Sequence, residues 1–397
     1  MNVLIKGGKV EGEVNAIPSK SYAHRIAICN FLAGKNGISD CNGFSSDDII
    51  KTEQCLQALK NGENLLDCGE SGSTLRFLLP LVSAIGGDFI LSGRGRLMQR
   101  PNEELLSVLR EHGVKTEAGS CIKINGKLKA GKYVIRGDIS SQYVSGLLMA
   151  LPILDGDSEI VLSTPLVSKP YVDITLEVLS SYGVNILTTP TGYKIKGNSS
   201  YVGELKPEGD WSNSAFFLVL GALNGKVTVK GLNQKSVQGD RYITTILEKA
   251  GANLSFGDNG LTVTGQTLHA FSFDAENCPD LVPIASVLAG CSKGRSIIEN
   301  IERLKIKESN RITSTIETLK SFGIKAWCED NRLIIEGGKV KKGTAESFND
   351  HRIVMSSAVL GACAEGDSTL INAQAVNKSY PTFFEDFRLV GGKAYEL

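Results

Sequence analysis

The sequence predicts a mixed α/β protein, of the α+β type, with two domains built from six copies of one structural unit. Its 397 residues are more than one ordinary hydrophobic core accommodates, so we expect two domains. Helix-like segments that end in glycine recur at intervals of 68 to 72 residues, and each glycine stands where a left-handed helix cap is needed. Short polar turns precede helices that are almost uniformly apolar, which indicates that those helices are buried.

The five regularly spaced copies end at Gly113, Gly183, Gly251, Gly323 and Gly391. After most of these glycines, alternating and β-branched segments predict a β-hairpin, which is followed by a polar turn, an apolar helix and another strand. An earlier copy, residues 47–60, precedes Gly62 and is followed by a shortened connection.

The last copy stops at Leu397 before its hairpin is complete. The segment 3–10 (VLIKGGKV) echoes 333–340 (LIIEGGKV), so we infer that the first strands of the chain complete the last unit. One domain would then comprise residues 1–16 and 209–397, and the other, residues 17–208, would be inserted within it. Three units per domain is the simplest division, although the pattern also allows one ring of six units.

Composition narrows the classes of function. Lys and Arg together number 43, as do Asp and Glu, and this zero formal charge argues against nucleic-acid binding by bulk charge. The nine cysteines contain no CxxC pair, as is typical of reduced cytosolic thiols. The first residues lack the apolar core of a signal peptide, and apolar runs such as 215–223 are about half the length of a membrane span. We therefore expect a cytoplasmic protein without a membrane or nucleic-acid partner.

The polar turns lie at predicted helix N-termini, where free N–H groups and the helix dipole favour anions. One isolated turn would be read as an ordinary N-cap, but six equivalent turns accompanied by basic residues predict a site for several phosphates or carboxylates. The basic residues are Lys20, Arg25, Arg76, Arg94, Arg96, Arg100, Lys169, Lys305, Lys307, Arg311, Arg352 and Lys378.

Carboxylates stand beside these cations in the sequence. Most acids near basic residues are structural partners, so each alone is weak evidence for catalysis. His351 is either an acid–base group or a capping and packing residue. The chain has no HExxH, P-loop, Rossmann or nucleophile-elbow motif, which argues against zincins, P-loop enzymes, Rossmann dehydrogenases and serine hydrolases. The candidate acids are Asp48, Asp240, Asp280, Glu308 and Asp350.

Several motifs together resemble the signatures of the EPSP synthases (3-phosphoshikimate 1-carboxyvinyltransferases), within the enolpyruvyl transferase family. They occur in the order of that family and extend over nearly the whole chain. The resemblance implies two domains, each of three βαβαββ units packed around buried helices. The motifs are residues 18–25 (PSKSYAHR), 71–76 (SGSTLR), 99–101 (QRP), 140–142 (SSQ), 168–171 (SKPY), 238–240 (QGD), 307–311 (KESNR), 349–352 (NDHR) and Lys378.

The resemblance also implies a reaction. The enolpyruvyl group of phosphoenolpyruvate passes to the 5-hydroxyl of shikimate 3-phosphate through a tetrahedral intermediate, which then loses phosphate, in the shikimate pathway of aromatic amino acid biosynthesis. This chemistry needs two anions placed side by side and proton transfer, but no metal and no redox cofactor. It further implies a monomer that is a target of glyphosate.

Site residues follow from the same resemblance. It assigns catalysis to Lys20, Asp280 and Glu308. It assigns shikimate 3-phosphate to Lys20, Ser21, Arg25, Ser140, Ser141, Gln142, Ser168, Tyr171, Asp280 and Lys307. It assigns phosphoenolpyruvate to Lys20, Gly72, Arg100, Gln142, Arg311, Arg352 and Lys378. Two positions depart from the family pattern: Glu70 stands where Asn is frequent, and Arg303 stands where some members have a substrate-binding Asn.

Three other readings are compatible with the repeats. The sister enzyme that acts on UDP-N-acetylglucosamine uses a loop cysteine, and the loop 94–100 (RGRLMQR) has none. An RNA 3′-phosphate cyclase has a related repeated fold, and the neutral net charge weakly disfavours it. A non-enzymatic scaffold of six repeats, such as a sliding clamp, would not need the SSQ and DHR turns.

Overall fold

The computed structural model describes residues 1–35, 37, 46–258 and 260–397. The chain forms two compact units. We call residues Lys20–Pro207 the inserted unit, and Met1–Ser19 together with Glu208–Leu397 the C-terminal unit. Within the described ranges, no helix has both the length and the apolar character that a bilayer span requires.

Helices and strands alternate along the whole chain. The helices are α1 (Lys20–Leu32), α2 (Asp47–Lys60), α3 (Gly72–Ile85), α4 (Glu103–Glu111), α5 (Ser141–Ala150), α6 (Lys169–Ser181), α7 (Trp211–Asn224), α8 (Ile243–Ala250), α9 (Val282–Cys291), α10 (Arg311–Ser321), α11 (His351–Ala362) and α12 (Phe383–Leu389). The strands are β1 (Val3–Lys6), β2 (Val10–Asn15), β3 (Leu65–Asp67), β4 (Gly87–Ser92), β5 (Val114–Ala118), β6 (Cys121–Gly126), β7 (Lys132–Ile135), β8 (Ser158–Leu162), β9 (Leu187–Thr189), β10 (Gly192–Ile195), β11 (Gly225–Lys230), β12 (Asn253–Gly257), β13 (Gly260–Thr264), β14 (Ser272–Asp274), β15 (Arg295–Glu299), β16 (Lys325–Glu329), β17 (Arg332–Glu336), β18 (Thr344–Glu346), β19 (Ser368–Ile371) and β20 (Lys393–Glu396).

One sheet pattern occurs five times among the described residues. Each sheet has four strands and contains one parallel pair of neighbours, while the remaining neighbours are antiparallel. The orders are β3-β4-β6-β5 and β7-β8-β10-β9 in the inserted unit, and β12-β13-β11-β2, β14-β15-β17-β16 and β18-β19-β1-β20 in the C-terminal unit. The predicted α/β fold of repeated βαβαββ units is thereby confirmed.

The two N-terminal strands join different sheets. Strand β1 pairs with both β19 and β20, with Val3 opposite Leu370 and Glu396, and so completes the last sheet as its likeness to β17 predicts. The prediction was wrong for β2, which lies parallel to β11 in another sheet. The chain leaves the sheet of β1 at Gly7, where an added Cβ would lie 2.5 Å from the carbonyl oxygen of Ala364, and only glycine allows this close passage.

The polar turns cap the buried helices. The side chains of Ser71, Ser140, Asp210 and Asp350 each accept a hydrogen bond from a backbone N–H in the first turn of α3, α5, α7 and α11, respectively. Such a cap contributes about 1 kcal/mol and ends the preceding loop at a defined residue. Because these helices are buried for most of their length, the caps place polar side chains at the ends of two apolar cores.

Candidate active site

Lys20 begins α1 in the inserted unit, and its ammonium group is paired. Its Nζ lies 2.7 Å from Oδ2 of Asp48, in the first turn of α2, and both side chains are mostly buried. This contact assigns Asp48, a candidate acid in the sequence, to the role of an ion-pair partner. A buried carboxylate also restrains the position of the lysine ammonium.

Arg25 lies one turn beyond Ser21 and connects three helices of the inserted unit. Its Nε donates to Oγ1 of Thr175 at 2.7 Å, and its terminal nitrogens donate to the backbone oxygens of Ser21 at 2.6 Å and Tyr171 at 2.8 Å. Burial lowers the pKa of Arg25 to about 10, and the guanidinium lies 4.9 Å from the ring centre of Phe77. Arg25 therefore fixes the relative positions of Ser21 and Tyr171, two residues that the sequence assigns to the same substrate.

The start of α3 brings Gly72 and Arg100 together. A Cβ atom added to Gly72 would lie 2.5 Å from NH1 of Arg100 and 3.0 Å from its guanidinium carbon. The absent side chain thus leaves room for a guanidinium beside the N-terminus of a buried helix, which is an arrangement suited to an anion.

Gln142 follows two serines at the start of α5. Ser140 caps this helix by accepting a hydrogen bond from the backbone N–H of Gln142. The Gln142 side chain accepts a hydrogen bond from Arg76 NH1 at 2.8 Å and donates one to Ser73 Oγ at 2.9 Å. Gln142 therefore links the start of α5 to α3, where Gly72 lies.

Ser168 precedes α6 with a left-handed backbone, at a φ of 52°, and is buried. A non-glycine residue in this region carries strain and is often found at functional sites. The next residue, Lys169, pairs with Asp173 at 2.6 Å on the exposed side of the helix. Ser168 and Tyr171 lie on the same helical turn, but the Lys169 ammonium contacts its own helix.

Arg311 organises the C-terminal unit. Its side chain is 1% exposed and contacts three carboxylates: Asp350 through Nε at 2.8 Å, Asp280 through NH1 at 2.7 Å and Glu308 through NH2 at 2.6 Å. Burial alone would lower the pKa of Arg311, but these three negative charges, Asp350 foremost, raise it well above its ordinary value. Arg311 is thus permanently charged and holds three acids around one guanidinium.

Asp280 lies among three cations. It accepts from Arg311, from Arg352 NH2 at 3.0 Å and from Lys307 Nζ at 3.3 Å. Burial would raise its pKa, but the charges of Arg352, Lys307 and Arg311 outweigh burial and hold the pKa of Asp280 well below its ordinary value. Asp280 is therefore ionised at neutral pH. We use the term charge network for Asp280, Lys307, Glu308, Arg311, Asp350 and Arg352.

The charge network contains three acids and three bases, so its formal charges balance. Burial lowers the pKa of Lys307, and the negative charge of Asp280 partly opposes this effect. The Lys307 ammonium therefore gives up its proton more readily than an exposed lysine does. Asp350 also caps α11 by accepting from the backbone N–H of Arg352 at 3.0 Å. The start of α11 therefore fixes the position of the Arg352 guanidinium relative to Asp280. His351 next to it is 2% exposed and packs at the start of the same helix.

Asp240 is a buried acid whose environment differs from that of Asp280. Burial, followed by the negative charge of Asp280, raises the pKa of Asp240 to about 7, while Arg352 opposes this effect. Two neighbouring carboxyl groups whose pKa values move in opposite directions are typical of sites that transfer protons. The sequence offered Asp240 only as a candidate acid, and its proximity to Asp280 becomes visible in the fold.

Asp240→Asn should make the protein progressively more stable than the wild type as the pH rises from about 4 to 7. The folded state holds the Asp240 proton up to about pH 7, whereas an unfolded aspartate loses it near pH 3.9. The wild type therefore loses stability across this window, and the neutral amide does not. Thermal unfolding at pH 5, 6 and 7.5 would test this, with Asp367→Asn, an exposed aspartate paired with Lys6, as the control. An equal difference at all three pH values would contradict the prediction.

Lys378 contacts a strained turn of the C-terminal unit. Its Nζ donates to the backbone oxygen of Asn349 at 2.7 Å, and Phe348 and Asn349 are both left-handed, with φ of 51° and 54°. This turn immediately precedes Asp350, so Lys378 contacts the loop that carries the charge network.

The two departures from the family pattern lie near these groups. Glu70 lies beside the loop 94–100, since its carboxyl carbon is 2.9 Å from the position that a Cβ atom of Gly95 would occupy, and Gly95 has a φ of 57°. The positive charge of Arg303 contributes to the low pKa of Lys307. Glu70 is thus adjacent to the segment between Arg94 and Arg100, and Arg303 is electrostatically connected to the charge network.

The sequence analysis did not predict two sets of contacts, the hydrogen bonds of Arg76 and the ion pairs of Arg311. Arg76 was counted among anion-binding cations, but Asn102, Gln142 and Pro101 accept its hydrogen bonds. Its position within an otherwise apolar helix was the available signal, because a buried arginine needs several protein acceptors. The association of Arg311 with three acids had no comparable signal, since Asp280 and Asp350 are distant from it in the sequence.

Comparison with known proteins places these features in a family. The model of the family described as EPSP synthase (3-phosphoshikimate 1-carboxyvinyltransferase) matches residues 47–387. A 3-phosphoshikimate 1-carboxyvinyltransferase from Clostridium kluyveri is 39% identical, with 99% of this chain and 98% of the relative covered. One of the same name from Clostridium botulinum (strain Eklund 17B) is 37% identical, with 98% and 97% covered.

Solved structures support the fold. The EPSP synthase from Acinetobacter baumannii superposes with a TM-score of 0.79 at 24% identity, with both chains covered completely. An enolpyruvyl transferase from Streptomyces tendae gives 0.77 at 17% identity, with 99% of this chain and 98% of the other covered. Because the family model matches most of the chain and the relatives align over nearly their full length, this chain belongs to the EPSP synthase family.

Proposed function

We propose that this protein transfers the enolpyruvyl group of phosphoenolpyruvate to the 5-hydroxyl of shikimate 3-phosphate and releases phosphate. The observation that carries the proposal is the charge network, which combines fixed cations for anionic substrates with ionised acids for proton transfer. The names of the curated relatives supply the substrate class. A cytoplasmic location and a monomeric state remain predictions.

The inserted unit contributes the proposed shikimate 3-phosphate contacts. Supporting this, Arg25 ties the backbone of Ser21 to that of Tyr171, and Ser140 and Ser141 lie at the capped start of α5. Hydroxyl groups and free N–H groups at a helix start are suited to phosphate and sugar-like hydroxyls. The other proposed contacts are Lys20, Gln142 and Ser168, with Asp280 and Lys307 from the C-terminal unit.

Phosphoenolpyruvate needs cations for its carboxylate and its phosphate. We assign the binding of the phosphoenolpyruvate carboxylate and phosphate to Lys20, Gly72, Arg100, Gln142, Arg311, Arg352 and Lys378. Gly72 and Arg100 are adjacent, and Arg352 is held by Asp280 and Asp350. Arginine can donate two parallel hydrogen bonds to a carboxylate or phosphate, which favours a fixed orientation of the substrate.

The proposed chemistry proceeds by addition and elimination. An acid protonates the methylene carbon of phosphoenolpyruvate while the 5-hydroxyl attacks the neighbouring carbon, and the tetrahedral intermediate then loses phosphate and a proton. Asp280 is ionised and accepts a hydrogen bond from the 5-hydroxyl, which orients the nucleophile. The 5-hydroxyl proton passes to Asp280 as the new carbon–oxygen bond forms. Lys20 and Glu308, which lies beside Lys307 and Arg311, deliver the proton to the methylene carbon and take one back from the resulting methyl group when phosphate leaves.

Release of inorganic phosphate from phosphoenolpyruvate tests the proposal. We expect rapid release with shikimate 3-phosphate as acceptor and none above background with UDP-N-acetylglucosamine or without acceptor. The product should contain a new enol ether carbon bonded to the 5-oxygen, visible by ¹³C NMR with labelled phosphoenolpyruvate. Release only with the UDP-sugar would support the sister activity instead, and no release with either acceptor would refute both.

Gly72→Ala should raise the KM for phosphoenolpyruvate and weaken inhibition by glyphosate, which we expect to compete with phosphoenolpyruvate. The new methyl group would lie 2.5 Å from the Arg100 guanidinium, so that side chain must move. A displaced charge-assisted hydrogen bond corresponds to about 1.5–3 kcal/mol, or roughly a tenfold to hundredfold change. Initial rates over a range of both ligands would measure it.

Gly119→Ala is the matched control, because Gly119 also lies in the inserted unit and a Cβ there has no neighbour within 4 Å. It should leave both constants unchanged. An unmodified enzyme that keeps full activity at millimolar glyphosate would contradict the expected competition. Loss of shikimate 3-phosphate affinity in Gly72→Ala, with phosphoenolpyruvate affinity intact, would contradict the assignment of this glycine.

A further inference from the structure

Arg76 lies in α3, four residues after Gly72, with 4% of its surface exposed. All three of its nitrogens donate to protein acceptors: Nε to Asn102 Oδ1 at 3.1 Å, NH1 to Gln142 Oε1 at 2.8 Å and NH2 to the Pro101 oxygen at 2.9 Å. The guanidinium also lies 5.5 Å from the ring centre of Tyr143. Arg76 is thus a buried connector between α3, α5 and the segment that follows Arg100.

The contact with Arg76 determines which way the Gln142 amide faces. Arginine has five N–H donors and no acceptor, so only the oxygen of the Gln142 amide can face it. The nitrogen then points the other way, where one of its two hydrogens is donated to Ser73 Oγ at 2.9 Å. The second N–H remains as a donor on the half-buried side chain. An anionic substrate requires a donor at this position, and the reversed amide would present an oxygen.

The same guanidinium fixes the segment that carries Arg100. Asn102, which accepts from Arg76, donates its own amide N–H to the backbone oxygen of Arg100 at 3.0 Å. The Pro101 oxygen accepts from both Arg76 and the Tyr143 hydroxyl. The Arg100 side chain then returns to Gly72 at the start of α3. Without the Arg76 guanidinium, the Pro101 carbonyl and the Asn102 side chain would each lose a hydrogen bond, and the segment that carries Arg100 would be less restrained.

We propose that Arg76 is a positioning residue that sets the amide of Gln142 as a hydrogen-bond donor and holds Arg100 beside Gly72. This inference rests on the proposed function, since Gln142 and Arg100 are assigned there to the anionic substrates. Arg76 itself does not touch substrate. Its charge is committed to protein oxygens, and its planar fork determines the geometry.

Arg76→Lys tests the fork while keeping the positive charge. A lysine ammonium is a single point donor and cannot reach three acceptors in the arrangement of a planar guanidinium. We expect the KM for phosphoenolpyruvate to rise about tenfold to a hundredfold, and the KM for shikimate 3-phosphate by a smaller factor, because Gln142 is common to both but Arg100 is not. The change in kcat should be smaller than the change in the KM for phosphoenolpyruvate. Arg136→Lys, an exposed arginine paired with Asp138 in the same unit, is the control.

Gln142→Glu and Gln142→Ala test the amide orientation without altering Arg76. Glutamate keeps an oxygen for Arg76 but presents a second oxygen where we infer the N–H donor, so it should weaken binding of both anions at least tenfold more than alanine does. Its melting temperature should stay close to that of the wild type, because the Arg76 contact persists. If Gln142→Glu binds both substrates as well as Gln142→Ala or better, the inferred orientation is wrong.

The outcomes separate this inference from the proposed function. A wild type that releases no phosphate with either acceptor refutes the proposed function. An active wild type in which Gln142→Ala changes neither KM refutes the assignment of Gln142. An active enzyme in which Gln142→Ala raises both KM values while Arg76→Lys matches the wild type refutes the positioning role. If Arg76→Lys does not fold, the comparison of Gln142→Glu with Gln142→Ala still decides the orientation.

Discussion

Replacing Glu308 with glutamine should lower turnover by about 10²–10⁴-fold, the usual contribution of a positioned acid or base. Glutamine keeps the shape of the side chain and an oxygen for Arg311 NH2, which lies 2.6 Å from Glu308 Oε2. The variant therefore loses the titrating group but keeps the contact. Both KM values should change much less than kcat, which steady-state rates of phosphate release would establish.

Glu302→Gln is the matched control for this experiment. Glu302 lies on the short 3₁₀ helix that precedes Lys307 and pairs with Lys305 at 2.8 Å on the surface. It should keep the turnover of the wild type. If Glu308→Gln also stays within a few fold of the wild type, Glu308 is only an ion-pair partner of Arg311.

Asp280→Asn should have two separable effects. Turnover should fall by at least about 10²-fold, because the amide no longer offers an ionised acceptor to the 5-hydroxyl. The protein should also lose up to about 3–5 kcal/mol of stability at neutral pH, the usual effect of removing one partner from a buried ion pair. Here three cations, Arg311, Arg352 and Lys307, would lose their shared carboxylate.

The loss of stability in Asp280→Asn should depend on pH in a direction that follows from the pKa of Asp280. The folded pKa of Asp280 is held well below its ordinary value, so its stabilising contribution is complete above pH 4 and is lost as the pH falls toward the folded value. The deficit of Asp280→Asn in denaturant unfolding should therefore shrink below pH 4. Asp367→Asn, at an exposed aspartate of the same unit, should show neither effect. A deficit that is constant down to acid pH would contradict the charge argument.

The repeats were readable in the sequence because backbone geometry imposes them. Glycine caps such as Gly251 and Gly323, at φ of 90° and 79°, require a conformation that other residues avoid. The apolar helices were equally visible, since a helix buried on all sides has no polar face. The sheet that β2 joins was not visible, because the alternation of residues along a strand does not specify its neighbour, which here is β11.

Short motifs predicted the residues of the candidate site, but they did not predict the contacts among those residues. Motif residues such as Ser140 lie at helix starts, as local capping rules predict. The partners of Arg311 come from residues 31 and 39 positions away as well as from the adjacent turn. Such long-range pairing depends on how the helices pack, and one sequence carries no direct signal of it. For the same reason, Arg76 was read as a ligand for substrate.

The pairing of β1 imposes an order on the folding of the protein during its synthesis. This strand is synthesised before the inserted unit, whereas its neighbours β19 and β20 are synthesised after it, with Val3 opposite Leu370 and Glu396. The inserted unit is continuous in sequence, from Lys20 to Pro207, and has all its own strands long before then. Strand β1 therefore lacks both of these partners until β19 has been synthesised, and the long loop that its pairing closes adds an entropic cost. A nascent chain stalled before β19 would therefore present β1 as an unpaired strand, which is a natural contact for a chaperone.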